Sequence, residues 1–178
     1  MSKLVFLFAL ALLTAGCHAT TTTNGVPNLV QVNPGVWRSG QPASPAAWVY
    51  LKSQGIHTVV KLNFPSEGSD TDAESLGMKV IAVPIQPNGD VTTITDVPDA
   101  SHIQAAVDAL SAGGGVLVHC THGQDRTGLV VGVYRVQHDH WSKSQAWREM
   151  LQRGFHTELL GLDAFWEGVP HPALPRTP

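Results

Sequence analysis

The segment 115–136, GVLVHCTHGQDRTGLVVGVYRV, constrains this chain more than any other. Its first part, GVLVHC, is a continuous apolar run of strand length. That is the pattern of a strand covered on both faces at the centre of a parallel sheet. Its last part, TGLVVGVYRV, reads as an apolar helix packed behind the strand. Only a short polar loop separates them. Strand, tight loop and helix in that order build an anion site, because loop N–H groups converge on one point and the positive end of the helix aims at the same point. Gly123 lets the backbone bend with no side chain in the way. Arg126 adds a planar fork suited to two-point contact with a phosphate. Cys120 lies at the base of the ring, and positive surroundings of this kind favour the thiolate, the nucleophilic form of cysteine. A phosphate held by residues 121–126 would lie above the sulfur, placed for in-line attack, with the same donors stabilising the transferring phosphoryl group.

The rest of the chain supplies a frame for such a loop. SPAAWVYLKSQG predicts a helix with Ser44 as N-cap, Pro45 in the first turn and Gly55 as its stop. IHTVVKLN and MKVIAVPI are β-branched strands, and GVWRSGQP suggests a short edge strand ending in a turn. Thr71 to Glu74 reads as a capping box opening a short helix. A loop covers 86–95. DVPDASHIQAAVDALSAGGG is a helix for which Asp96 is the expected N-cap. SKSQAWREMLQRG is a helix with a Ser142/Gln145 capping box, and LLGLDAFWEG a last short one. Trp141, Trp147 and Trp166 fall at amphipathic positions and read as core. Strands alternating with helices predict an α/β fold, a mainly parallel central sheet flanked by helices. One domain is expected over 29–170, with an irregular Pro-rich tail at 171–178. The 178 residues suffice for one sizeable core, and the net charge of −3 carries no signature of nucleic-acid binding, so any anion site is local.

HCTHGQDRTG resembles the signature H-C-x5-R-S/T-G of the cysteine-dependent protein tyrosine and dual-specificity phosphatases. Cys120, Gly123, Arg126, Thr127 and Gly128 fall where that pattern wants them. The resemblance covers about residues 35–160, with WRSGQP and the WREM…GF stretch also similar to bacterial members. It implies a phosphotyrosine-phosphatase-like fold, no cofactor or metal, and a phosphocysteine intermediate on Cys120. It also implies that Arg126 clamps the phosphoryl oxygens, that Thr127 hydrogen-bonds the sulfur and that His119 supports the loop from behind. Thr121, His122, Gly123, Gln124 and Asp125 would line the phosphate, with His122 and Gln124 beside the mouth. Three aspartates compete for the general acid, of which Asp96 is better explained as an N-cap. Asp90 lies thirty residues before Cys120, in the loop where dual-specificity enzymes carry it. Asp125 lies inside the loop, where myotubularin-like enzymes carry it. The substrate class stays open between a phosphorylated protein and a phosphoinositide, although the loop lacks the lysines common in inositide-directed relatives. Two other functions compete: a non-catalytic module binding phosphorylated ligands, and a rhodanese-like sulfurtransferase. The RTG continuation argues against the second.

The start of the chain reads differently. Residues 1–17 hold one lysine, an apolar run and LTAGC, the layout of a signal peptide ending in a lipobox with Cys17 as the lipidated residue. This implies an exported lipoprotein facing the periplasm, held to the membrane by its lipid; cleavage after Ala19 would instead give a soluble periplasmic or secreted protein. Residues 18–28, rich in Thr, read as a linker. Either cleavage leaves Cys120 as the only thiol, so no internal disulfide is available.

Overall fold

The computed structural model describes residues 21–87 and 90–170. The signal-peptide and lipidation readings at 1–17, and the tail at 171–178, lie outside the described residues. Two small strands, β1 (Thr22–Thr23) and β2 (Val26–Pro27), pair as an antiparallel hairpin. A five-stranded sheet follows in the order β3 (Val30–Asn33), β4 (Val36–Ser39), β7 (Val116–His119), β5 (Thr58–Lys61), β6 (Lys79–Ala82). Only the β3–β4 pair is antiparallel; β4, β7, β5 and β6 run parallel.

The order puts β7 at the centre, and all four of its residues are buried. Successive side chains of a strand point to opposite faces. Leu117 and Val59 accordingly join one core with Trp48 and Leu51 of helix α1 (Pro45–Ser53) and Ala73 of the short helix α2 (Thr71–Ser75). Val118 and Val60 join the other, with α3 (Ala100–Ser111), α4 (Asp125–Gln137), α5 (Lys143–Gln152) and α6 (Leu160–Gly168). Helix α4 is buried at every position from Arg126 to Val136, as its sequence requires. Gly132 is its point of closest approach: an added methyl there would lie 2.6 Å from Met150 of α5 and 3.1 Å from Trp166 of α6. Trp166 is buried, while Trp141 and Trp147 are partly buried against the same core.

Several expectations need correction. β4 is not an edge strand; β3 covers it, and the GVWRSGQP reading missed the weaker Val30–Asn33 strand. The linker reading fails over 21–28. Those residues fold back, with Val26 fully buried beside Ala47 and Trp48, because Asn24 and Gly25 at φ 49° and 77° allow a tight reversal. The N-cap of α3 is Asp99, whose carboxylate accepts from Ser101 N–H at 2.7 Å, and not Asp96. Thr71 begins α2 but Asp70 holds its N-cap position, with no side-chain cap bond. The 86–95 loop contains a 3-10 turn at Val91–Thr93.

Candidate active site

The site sits where parallel strands end and a helix begins, the usual ligand position in open α/β sheets. β7 delivers His119 and Cys120; residues 121–124 wrap round; α4 then starts at Asp125. Cys120 is 2% exposed, and its sulfur accepts the Gly123 N–H at 3.2 Å. Gly123 has φ 76°, and a methyl there would lie 2.4 Å from the Ser39 carbonyl carbon and the Gly40 nitrogen. Only glycine meets both demands.

A planar peptide points its N–H and C=O in opposite directions. Inward donors therefore need outward carbonyls, and each of those has a partner. Gln41 N–H donates to Thr121 O at 3.0 Å. Asn28 Nδ2 donates to His122 O at 2.8 Å. Arg38 donates to Gly123 O at 2.8 Å and, at the limit of a hydrogen bond, to Gln124 O at 3.5 Å. Gly128 N–H of α4 also reaches Gln124 O, at 2.8 Å.

Arg126 is buried, and Glu67 grips it with both oxygens, Nη1 to Oε2 at 2.8 Å and Nη2 to Oε1 at 2.7 Å. The Thr121 hydroxyl joins this group, donating to Glu67 at 3.0 Å. Burial pushes the Glu67 carboxyl up, but the Arg126 bonds and charge, the Phe64 N–H and Thr121 outweigh it and hold it below the usual carboxylate range. His119 is fully buried. Its Nε2 pairs with Asp70 Oδ2 at 2.9 Å, and its ring meets Trp48 edge-on at 6.0 Å. Asp70 is held in turn by Gln41 at 2.9 Å and lies 3.7 Å from the Lys61 ammonium.

Of the residues singled out in the sequence, the structure thus assembles Cys120, Thr121, Gly123 and Arg126 in one loop, with His119 behind it. Thr127 is buried, and its hydroxyl has no partner among the described residues; the sulfur accepts from Gly123 instead. His122 is exposed. Gln124 lies against Gly154 in the turn after α5, on the loop's outer flank, and lines a small polar cavity there with Arg38, Asn28 and Arg153. Asp125 accepts from the His156 N–H at 2.8 Å and faces His156 Nδ1 at 3.0 Å. Asp90 is exposed and caps its own 3-10 turn through Thr92 N–H at 2.9 Å. Those Thr92 hydrogen bonds hold its carboxyl below the ordinary range. The first turn of α6 and the segment that follows Asp90 meet, since Gly161 N–H donates to Ile94 O at 2.8 Å. Asn28, Gln41, Glu67 and Asp70 were not singled out in the sequence. They sit far from the signature in the chain and carry no spacing pattern that ties them to it.

Residues 35–140 match the family model described as polymorphic toxin system, DSP-PTPase phosphatase. The chain belongs to this family. It is 31% identical over 134 residues to the dual specificity protein phosphatase TpbA of Pseudomonas aeruginosa, across 74% of this chain and 56% of the relative. The chain therefore spans just over half the length of the curated relatives it matches. In structure it resembles P. aeruginosa TpbA with a TM-score of 0.67 at 24% identity, covering 85% of this chain and 89% of that one. TpbA has also been solved in complex with pTyr. PTPMT1 in complex with PI(5)P superposes with a TM-score of 0.60 at 17% identity, over 79% of this chain and 96% of that one. At these identities the structural likeness speaks for the fold.

Proposed function

We propose that this protein hydrolyses phosphomonoesters through a phosphocysteine intermediate, as a tyrosine or dual-specificity type phosphatase. The observation that carries the reading is the Cys120 sulfur at the base of a loop whose carbonyls all face outward, with Arg126 on the rim. The Cys120 thiolate attacks phosphorus in line. The bond to the leaving oxygen breaks, and a general acid supplies its proton. Water then attacks the phosphocysteine, giving a proton to the same group, now a base. The P–S bond breaks and the electron pair returns to sulfur. Inward N–H groups and Arg126 hold the equatorial oxygens throughout. Thr127, with its buried and unpartnered hydroxyl, is suited to donate to the departing sulfur. Arg126 must share its fork between Glu67 and the phosphate.

Asp90 and Asp125 remain the two candidates for the acid. Asp90 sits on an exposed turn. Asp125 is one residue from Arg126 but is engaged by His156. Asp90→Asn and Asp125→Asn compared on good and poor leaving groups decide between them, since the true acid matters most when the leaving group is poor.

A phosphorylated protein is the favoured substrate. The pTyr complex of TpbA supports it, and loop positions 121–125 hold no lysine to meet the extra phosphates of an inositide such as the one bound to PTPMT1. The LTAGC sequence supports lipid attachment at Cys17 and a periplasm-facing position; radiolabelled palmitate incorporated by wild type and not by Cys17→Ser is the expected result. For the chemistry, the decisive comparison is wild type against Cys120→Ser on p-nitrophenyl phosphate. Turnover by wild type alone is expected, and equal turnover by both would sink the covalent mechanism.

A further inference from the structure

We infer that Asn28 and Arg38 are positioning residues that aim the phosphate-binding N–H groups by gripping the loop's carbonyls from outside. The inference rests on the phosphatase reading for its kinetic consequence, and on the geometry alone for its binding consequence.

Each grip fixes one peptide plane and so the donor of the following residue. Gln41 N–H on Thr121 O aims the His122 N–H. Asn28 on His122 O aims the Gly123 N–H, the same donor that meets the Cys120 sulfur. Arg38 on Gly123 O aims the Gln124 N–H, and its weaker contact with Gln124 O backs the bond from Gly128 that aims the Asp125 N–H. The loop's four consecutive outward carbonyls, 121 to 124, are thus held by the 28–41 segment and the first turn of α4. Without these partners the carbonyls would lose hydrogen bonds on turning outward, and a flipped peptide would present a C=O to the phosphate, where an N–H is needed.

Arg38 is built for this task. It is 2% exposed at the end of β4, in register with Val118 of β7, so its side chain rises beside the loop. One terminal nitrogen reaches both carbonyls, while the other is buried with no partner among the described residues. Among the described residues no carboxylate is in direct contact with this cation; burial outweighs the more distant Glu149 charge and lowers its pKa to about 10. A buried, incompletely satisfied guanidinium is costly for stability alone. Its place under the loop gives it a use: a fixed positive charge and a fixed pair of donors on the side the phosphate does not touch. Asn28 stands at φ 49°, a left-handed conformation that asparagine tolerates better than most residues. That turn carries its amide to His122 from a segment ninety-four residues away in sequence.

The test uses the full chain with Arg38→Met, Arg38→Lys and Asn28→Gly. Glycine keeps the left-handed backbone at 28 and removes the amide, with both its donor to His122 O and the Oδ1 that accepts the exposed Thr21 N–H at 3.3 Å. Three quantities are read: kcat and KM for p-nitrophenyl phosphate, per folded molecule by near-UV circular dichroism, and the Kd of orthovanadate, which mimics the five-coordinate transition state. Losing one oxyanion donor costs roughly 100-fold to 1000-fold in kcat, and misaiming one costs less. The expected loss of kcat is about 100-fold for Arg38→Met and about tenfold for Asn28→Gly, with KM within about threefold and vanadate affinity falling in step with kcat. Arg38→Lys, which keeps the charge and one donor, recovers to within about tenfold of wild type. Wild-type kcat and vanadate affinity in Asn28→Gly, with only the melting temperature lowered, overturn the inference even if Arg38→Met does not fold, since Arg38→Lys is expected near wild type in either case. A wild-type protein that binds vanadate without turning over the ester refutes the phosphatase reading and leaves the vanadate series to decide this one. One that does neither overturns both.

Discussion

Gly123 and Glu67 show two ways in which a single residue governs the loop. At Gly123 the backbone alone matters. Gly123→Ala would force a methyl to 2.4 Å from two backbone atoms of the Ser39–Gly40 junction, at φ 76°. Neither neighbour is a flexible side-chain tip, so the loop itself must move. The expected result is a stability loss of about 1–3 kcal/mol, as for other overpacked sites, and a fall in kcat of at least about 100-fold. Chemical denaturation and steady-state kinetics check the two parts. At Glu67 charge matters. Its carboxylate neutralises Arg126 at 2.7 Å and occupies both terminal nitrogens. Glu67→Gln removes the competing anion and leaves Arg126 with surplus positive charge. Inorganic phosphate should then inhibit several-fold more strongly, while kcat does not rise, because the same carboxylate also fixes Thr121 beside Arg126. An unchanged inhibition constant would mean that Glu67 and phosphate do not share the guanidinium.

At the level of elements, legibility followed the strength of local signals. The centre of the sheet was readable because the consecutive buried apolar residues Val116 to Val118, running into buried His119, admit few other roles. Helix α5 was readable because its capping box is written in four residues; Ser142 Oγ accepts the Gln145 N–H at 3.3 Å and Gln145 reaches back to Ser142 N–H at 2.9 Å. Replacing Ser142 by Ala should cost about 1 kcal/mol, seen as a lower denaturation midpoint, with kcat unchanged. Where a long-range partner competes, the local code misleads. Asp70 has the chemistry of an N-cap and occupies that position of α2, yet its carboxylate goes to buried His119, to Gln41 and towards Lys61. The hairpin at 21–28 was illegible for a related reason. Thr-rich sequence carries no apolar period, and what docks the hairpin is long-range: buried Val26, the Asn28 amide on His122, and the Gly40 and Ala43 N–H groups on Pro27 O and Gly25 O.

Across the whole molecule, three carboxylates in different places are held ionised by the fold. Glu67 is at the loop, Asp70 is behind it, and Asp139 follows α4, bound by Arg135 at 2.7 Å and Asn33 at 2.9 Å. For each, burial pushes the carboxyl up, and the hydrogen bonds and charges of its partners outweigh that and hold it below its ordinary value. A carboxyl with a lower pKa folded than unfolded binds its proton more weakly in the native state. It therefore contributes stability that is fully present above the unfolded value, near 4, and is lost as pH falls through the folded value. Stability should be flat from neutral pH down to about 5 as far as these groups are concerned, then fall steeply below about 4. The site should fail together with the fold on this arm, because Asp70 links His119, Gln41 and Lys61, which come from three different strands or strand ends. Asp70→Asn separates this coupling from general acid unfolding. It should lower stability at neutral pH, since a buried histidine loses its charged partner, and it should shallow the slope below pH 4, since one titrating group is gone. Urea midpoints measured from pH 7 to pH 3 for the two proteins give both quantities. Parallel curves would show that the Asp70 carboxylate is not among the groups whose protonation unfolds the protein.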